Sequence, residues 1–152
     1  MHLRQLTVLL FLFGSLGVDA VLAQKKAKDE VPLKTIRVGV ERGGAFDRTM
    51  DYLQKTGFFI QSVDKDSGFI QARVFVKDRR IISITKGERR TFNFVFRPDG
   101  ASTKISLRIF HEDFRFSGDV GNRTYYYEEE GLLDDDDAYQ EILEALRSDI
   151  ER

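Results

Sequence analysis

A chain of 152 residues that is 41% hydrophobic and 32% charged is long enough for one domain and too apolar for wholesale disorder. With 24 Lys+Arg against 25 Asp+Glu it lacks the basic excess that a general nucleic-acid binder needs for its phosphate contacts. It has no Cys, which excludes disulfide staples, thiolate zinc sites, a Cys nucleophile and a lipid anchor on an N-terminal cysteine.

Residues 1–23 have the three-part order of a secretory signal peptide. Arg4 gives a short positive region and Leu6 to Val18 an apolar run interrupted only by Thr7 and Ser15. Val21-Leu22-Ala23 then gives small or aliphatic groups before a cut at Ala23-Gln24. The apolar run is shorter than the roughly 20 residues that span a bilayer, so the expectation is cleavage rather than a retained anchor. The mature protein is then periplasmic or secreted, with no transmembrane segment. Residues 24–32, with Lys25, Lys26, Lys28, Asp29, Glu30 and Pro32, read as a polar linker.

Residues 33–152 are expected to form a single domain. Ile36, Val38 and Val40 alternate with polar or small residues, the period of a half-buried strand, and Gly43-Gly44 ends it. Phe46, Met50 and Leu53 recur at helical spacing, and Gly57 is placed to end that helix with positive φ. Phe58 to Val63 and Phe69 to Val76 read as two strands joined by Asp64-Lys65-Asp66-Ser67-Gly68, which has hairpin-turn chemistry. Ile82 and Ile84 extend the second of these or begin a short strand, and Lys86-Gly87-Glu88 reads as a turn. Phe92, Phe94 and Phe96 mark one face of a further strand, Pro98-Asp99-Gly100 reverses the chain, and Ile105, Leu107 and Ile109 mark the face of the next. Asn122 to Glu128 adds one more, with Tyr125 and Tyr127 on one side and Tyr126 on the other. Tyr139, Ile142, Leu143, Leu146 and Ile150 form an apolar helical stripe, with Asp134 to Asp137 capping its positive end. The expected fold is α+β: an antiparallel meander of about five to six strands with two helices packed on one face, in the order β-α-β-β-β-β-α.

Phe46, Leu53, Gly57-Phe58, the turn from Asp64 to Gly68, Phe69-Ile70 and the closing Tyr139, Ile142-Leu143, Leu146 helix together resemble a signature of exported bacterial domains. These are the helix-grip repeats of the outer-membrane assembly lipoprotein BamC and TBP-like exported domains of unknown function. The resemblance spans most of Leu33 to Ile150 and implies a helix-grip fold. It carries over no catalytic or binding residue, because the shared positions are turn and core positions.

No catalytic, metal or cofactor constellation emerges from the residues. His111 and Asp113 share a strand face, but zinc needs a further ligand and a triad needs a nucleophile. Asp64, Asp66 and Gly68 lack the calcium-loop spacing, since Phe69 and Phe75 stand where Gly and Glu are required. Two surface features remain. Arg79, Arg80, Lys86, Arg89 and Arg90 lie in a stretch, Lys77 to Lys104, of 8 basic and 3 acidic residues, whereas Glu112 to Arg152 holds 4 basic and 14 acidic. That basic segment suits an envelope protein or an anionic envelope surface. Phe110, Phe114, Phe116, Tyr125 and Tyr127 exceed what one sheet face needs; core packing and cross-strand pairs account for them, and the functional alternative is a groove between helix and sheet. The expectation is a non-enzymatic exported module that binds a protein or a surface without a cofactor. The alternative is a carrier of an apolar, lipid-like ligand.

Overall fold

The computed structural model describes residues 34–77, 85–118 and 121–152. The signal segment, the linker, Arg79, Arg80, Ile82 and Ile84 lie outside the described residues. The elements are β1 (Lys34–Val38), α1 (Arg42–Lys55), β2 (Phe59–Asp64), β3 (Phe69–Lys77), β4 (Thr85–Asp99), β5 (Ser102–Gly118), β6 (Arg123–Leu132) and α2 (Asp136–Ile150). All six strands join one antiparallel sheet in the order β1-β5-β4-β3-β2, with β6 also on β5. The fold is α+β, with both helices packed on one face of the sheet.

That face holds the core. Alternation along β4 and β5 turns Phe92, Phe94, Phe96, Ile105, Leu107 and Ile109 toward the helices, all at 2% exposure or less. From α1 come Ala45, Phe46 and Leu53, and from α2 Tyr139, Leu143, Leu146 and Ile150, each spaced to lie on one helical side. Burial of one such large side chain stabilises by about 1.5–3 kcal/mol. Phe46 meets Phe96 edge-on at 5.3 Å, and Arg48 of α1 donates to the carbonyl of Ile150, tying the helices together. α1 ends as expected: Gly57 takes φ +81° while Phe58 N–H donates to the Leu53 carbonyl at 2.9 Å. α2 begins with Asp135, whose carboxylate accepts from Ala138 N–H at 3.1 Å. The Asp64 turn is closed by its own side chain, which accepts from Asp66 and Ser67 N–H at 3.0 Å.

Several boundaries differ from the sequence expectation. Gly43-Gly44 sits in the first turns of α1, and β1 stops at Val38. Lys86-Gly87-Glu88 makes no turn; it continues β4 through a bulge between Thr85 and Gly87. A Cβ on Gly87 would come within 2.6 Å of both the Phe75 ring and the Val76 carbonyl, so only glycine admits the neighbouring strand there.

β5 runs for 17 residues, and two strands share its outer edge in succession. β1 pairs with Thr103 to Leu107, and β6 with Phe110 to Gly118. Between them Ile109 N–H faces neither strand and donates instead to the Tyr139 hydroxyl of α2 at 3.0 Å, while its carbonyl accepts from Leu133 N–H at 2.8 Å. Beyond Ile109, Phe92 and Ala72 the strands carry no fully buried apolar side chain. From there β3, β4, β5 and β6 continue past the helices as an arm.

Candidate binding surface

Strand alternation sorts the side chains into an inner, helix-covered face and an outer face that no other described element covers. The register writes the outer face as rows of neighbours across the strands. One row is Arg37, Lys104 and Arg97 of β1, β5 and β4. The next is Thr35, Ser106, Val95 and Phe69. Then come Arg108, Asn93 and Gln71, in which the Gln71 amide donates to Asn93 Oδ1 at 2.8 Å. Phe110, Thr91 and Arg73 follow, and after them Glu129, Glu112, Arg89 and Phe75. Tyr127 beside Phe114 and Tyr125 beside Phe116 complete the arm.

Depressions lined by described residues lie on this face. One, of about 500 Å³, is lined by Asn93, Val95, Arg97, Lys104, Ser106 and Arg108. The other, of about 410 Å³, lies among Gln71, Arg73, Arg89, Thr91, Phe110 and Glu112. They meet at Asn93 and form a trough, walled by Arg97 and Lys104 at one end and by Phe110 with Arg73, Glu112 and Glu129 at the other.

Beyond the trough the arm carries a connected cluster of rings. Phe114 stacks on Tyr125 at 5.3 Å, lies tilted against Tyr127 at 5.0 Å and meets Phe75 edge-on at 5.9 Å. Phe116 meets Tyr125 edge-on at 5.5 Å. These rings remain open to solvent, with Phe75 at 47%, Tyr125 at 46%, Phe110 at 44% and Tyr127 at 41% exposure. Apolar surface gathered in this way on a small protein marks a contact region.

The five aromatics therefore stand on the face opposite the helices rather than in a groove between helix and sheet, and four of them form cross-strand pairs, Phe114 with Tyr127 and Phe116 with Tyr125. The reason is parity: Phe110, Phe114 and Phe116 are even-numbered on a strand whose odd-numbered Ile105, Leu107 and Ile109 face the helices. The space under the helices is filled by those core side chains.

The expected basic segment is divided as well. Arg89 and Arg90 are consecutive on β4 and point to opposite faces. Arg89 pairs with Glu112 and lies over the Tyr127 ring at 3.8 Å, whereas Arg90 pairs with Glu88. Hydrogen bonding to Arg89 holds the Glu112 carboxyl below its usual range, and the same bond raises Arg89. Lys86 is the bulge residue of β4 and carries an interaction of its own.

His111 and Asp113 share the inner side of the arm, as alternation requires, but Asp113 is engaged elsewhere. Its carboxylate meets Arg115 at 3.1 Å and the Thr85 hydroxyl at 3.3 Å. Arg115 also holds Glu128 at 2.8 Å and Glu130 at 2.7 Å. Among the described residues no group of three or more His, Cys, Asp or Glu side chains is placed to hold a metal ion, and no helix is long and apolar enough to cross a membrane.

The cationic row was not singled out by sequence. Arg37, Arg97 and Lys104 are far apart in the chain, and only strand register makes them neighbours. In comparisons with known proteins, no protein-family model matches the chain, and no curated protein matches it either.

Proposed function

We propose that the protein is a non-enzymatic exported binding module whose working surface is the outer face of the sheet, and that its partner is an envelope protein or the anionic envelope surface. The observation that carries this reading is the uncovered face itself. A six-stranded sheet has both helices on one side and, on the other, a trough with Arg97 and Lys104 at one end and the exposed Phe110 ring at the other, and a cluster of exposed rings beyond it on the arm. The signal-like leader supports export, and the resemblance to exported helix-grip domains supports an accessory role.

The absence of native Cys gives a direct test. Thr91→Cys places a thiol in the trough, and Ala145→Cys places one on the exposed side of α2. In intact envelopes a maleimide should label the α2 thiol freely and the trough thiol slowly, with the difference lost in the purified chain. Equal labelling of both in the envelope would exclude the outer face as the contact surface.

A second reading, a carrier of an apolar ligand, has the ring cluster of Phe75, Phe114, Tyr125 and Tyr127 in its favour. Its test is a small-molecule adduct in native mass spectra of protein released gently from its own envelope.

A further inference from the structure

The row Arg37, Lys104, Arg97 sets three cations side by side on adjacent strands, where directly opposed like charges destabilise a sheet. Arg37 is ion-paired with Asp99. Among the described residues Lys104 and Arg97 have no ion-pair partner. Both are exposed, and both wall the 500 Å³ depression whose floor is the small Ser106, 5% exposed, and Val95. Arg108 and the Asn93 amide stand on the far side of that floor. Neighbouring strands lie about 4.8 Å apart, so a carboxylate or phosphate seated over Ser106 is within reach of the Lys104 ammonium and the Arg97 fork together.

The remainder of the trough selects among anionic ligands. It continues past Asn93 through the amide and hydroxyl groups of Gln71 and Thr91 to the exposed Phe110 ring, with Arg73 beside it and Glu112 and Glu129 closing that end, Glu112 already paired with Arg89. From Lys104 to Phe116 along β5 is about 40 Å at about 3.3 Å per residue. A chain of hydroxyl-rich rings with its carboxylates at the Arg97 and Lys104 end matches this series: cations there, then amide and hydroxyl groups and one exposed ring against which neutral sugar faces lie, with Glu112 and Glu129 setting the limit of the anionic stretch.

We infer that the outer face binds an acidic polysaccharide, with Arg97 and Lys104 holding its anionic groups over Ser106. This inference rests on the reading of the outer face as the binding surface and names the class of its ligand.

The test is titration of the full chain with a polyuronate oligosaccharide, with neutral dextran, polyglutamate and phosphatidylglycerol vesicles as separate arms. The polyuronate should bind at low salt, weaken as salt rises, and exceed the other three. The double variant Arg97→Gln/Lys104→Gln should weaken polyuronate binding by about tenfold or more. It should melt no lower than the parent, because it removes a repulsion, so lost affinity reports a lost contact. Lys104→Arg should retain binding, since the charge stays in place.

The inference is overturned if polyuronate fails to bind, if the double variant binds as tightly, or if dextran binds equally well. Preference for polyglutamate would assign the row to an acidic protein, and preference for vesicles to a membrane; either overturns the glycan. If the Thr91→Cys thiol stays protected in envelopes while polyuronate does not bind, only the ligand class falls. If that protection is absent as well, the outer-face reading falls with it.

Discussion

Arg89 and Glu112 stand directly opposite each other on β4 and β5, and the paired guanidinium is roofed by the Tyr127 ring of β6 at 3.8 Å. Three strands of the arm are thus joined by one ion pair and one cation–π contact, at a level where the hydrophobic core has already ended. The arm keeps its shape through its own surface rather than through the helices. Its inner side is organised likewise by Arg115, which gathers Asp113, Glu128 and Glu130 from β5 and β6.

Replacing Glu112 by Gln should destabilise the protein by about 1 kcal/mol at neutral pH, as for a charge-assisted pair that is largely shielded from water. The folded carboxyl titrates below the unfolded one because Arg89 hydrogen-bonds its ionised form. The contribution is therefore fully present above the unfolded pKa and is lost as acid lowers the pH through the folded pKa. Urea denaturation of parent and Glu112→Gln across acid pH should show two stability curves that converge at the acid end. A constant gap would contradict the pairing.

Tyr139→Phe should cost about 1–3 kcal/mol, because it leaves the buried Ile109 N–H without an acceptor in the gap between β1 and β6. Burial raises the Tyr139 hydroxyl pKa, so it stays protonated through neutral pH. Hydrogen exchange should become faster at Ile109 in the variant than in the parent. An unchanged rate there would show that the hydroxyl does not hold that amide.

Gly87→Ala should lose about 1–3 kcal/mol, since the added methyl meets the Phe75 ring and the Val76 carbonyl at once. Displacing Phe75 also breaks its edge contact with Phe114. The readout is ring-proton chemical shifts of Phe114, Tyr125 and Tyr127, which should move together while those of Phe94 and Phe96 in the core hold still.

Lys104→Gln should raise stability by about 0.2–1 kcal/mol, by relieving repulsion from Arg37 and Arg97 on the two flanking strands. A thermal melt that drops instead would mean that Lys104 has a stabilising contact within the fold.

The core was legible in the sequence because it is periodic. Phe92, Phe94 and Phe96 and then Ile105, Leu107 and Ile109 repeat every second residue, and Leu143, Leu146 and Ile150 repeat with the helix. Lys86-Gly87-Glu88 is ambiguous in the sequence because glycine beside charged residues is the composition of a turn and also of a bulge, and only the Phe75 ring across the strand distinguishes them. The aromatics could be found by composition, and their face was available too: Phe110, Phe114 and Phe116 have the opposite parity to Ile109. The cationic row could not be read. It collects Arg37, Lys104 and Arg97 through the pairing of β1 with β5 and β5 with β4, and contiguous charge such as Arg89-Arg90 is divided between faces by the same alternation.

Site-specific photo-crosslinking in the cells that make the protein tests the central claim most directly. A photoreactive side chain at Phe110, which lines the trough, should yield adducts, and one at Ala145 on the exposed side of α2 should yield none. Adducts at Ala145 with none at Phe110 would place the working surface on the helices and contradict the account.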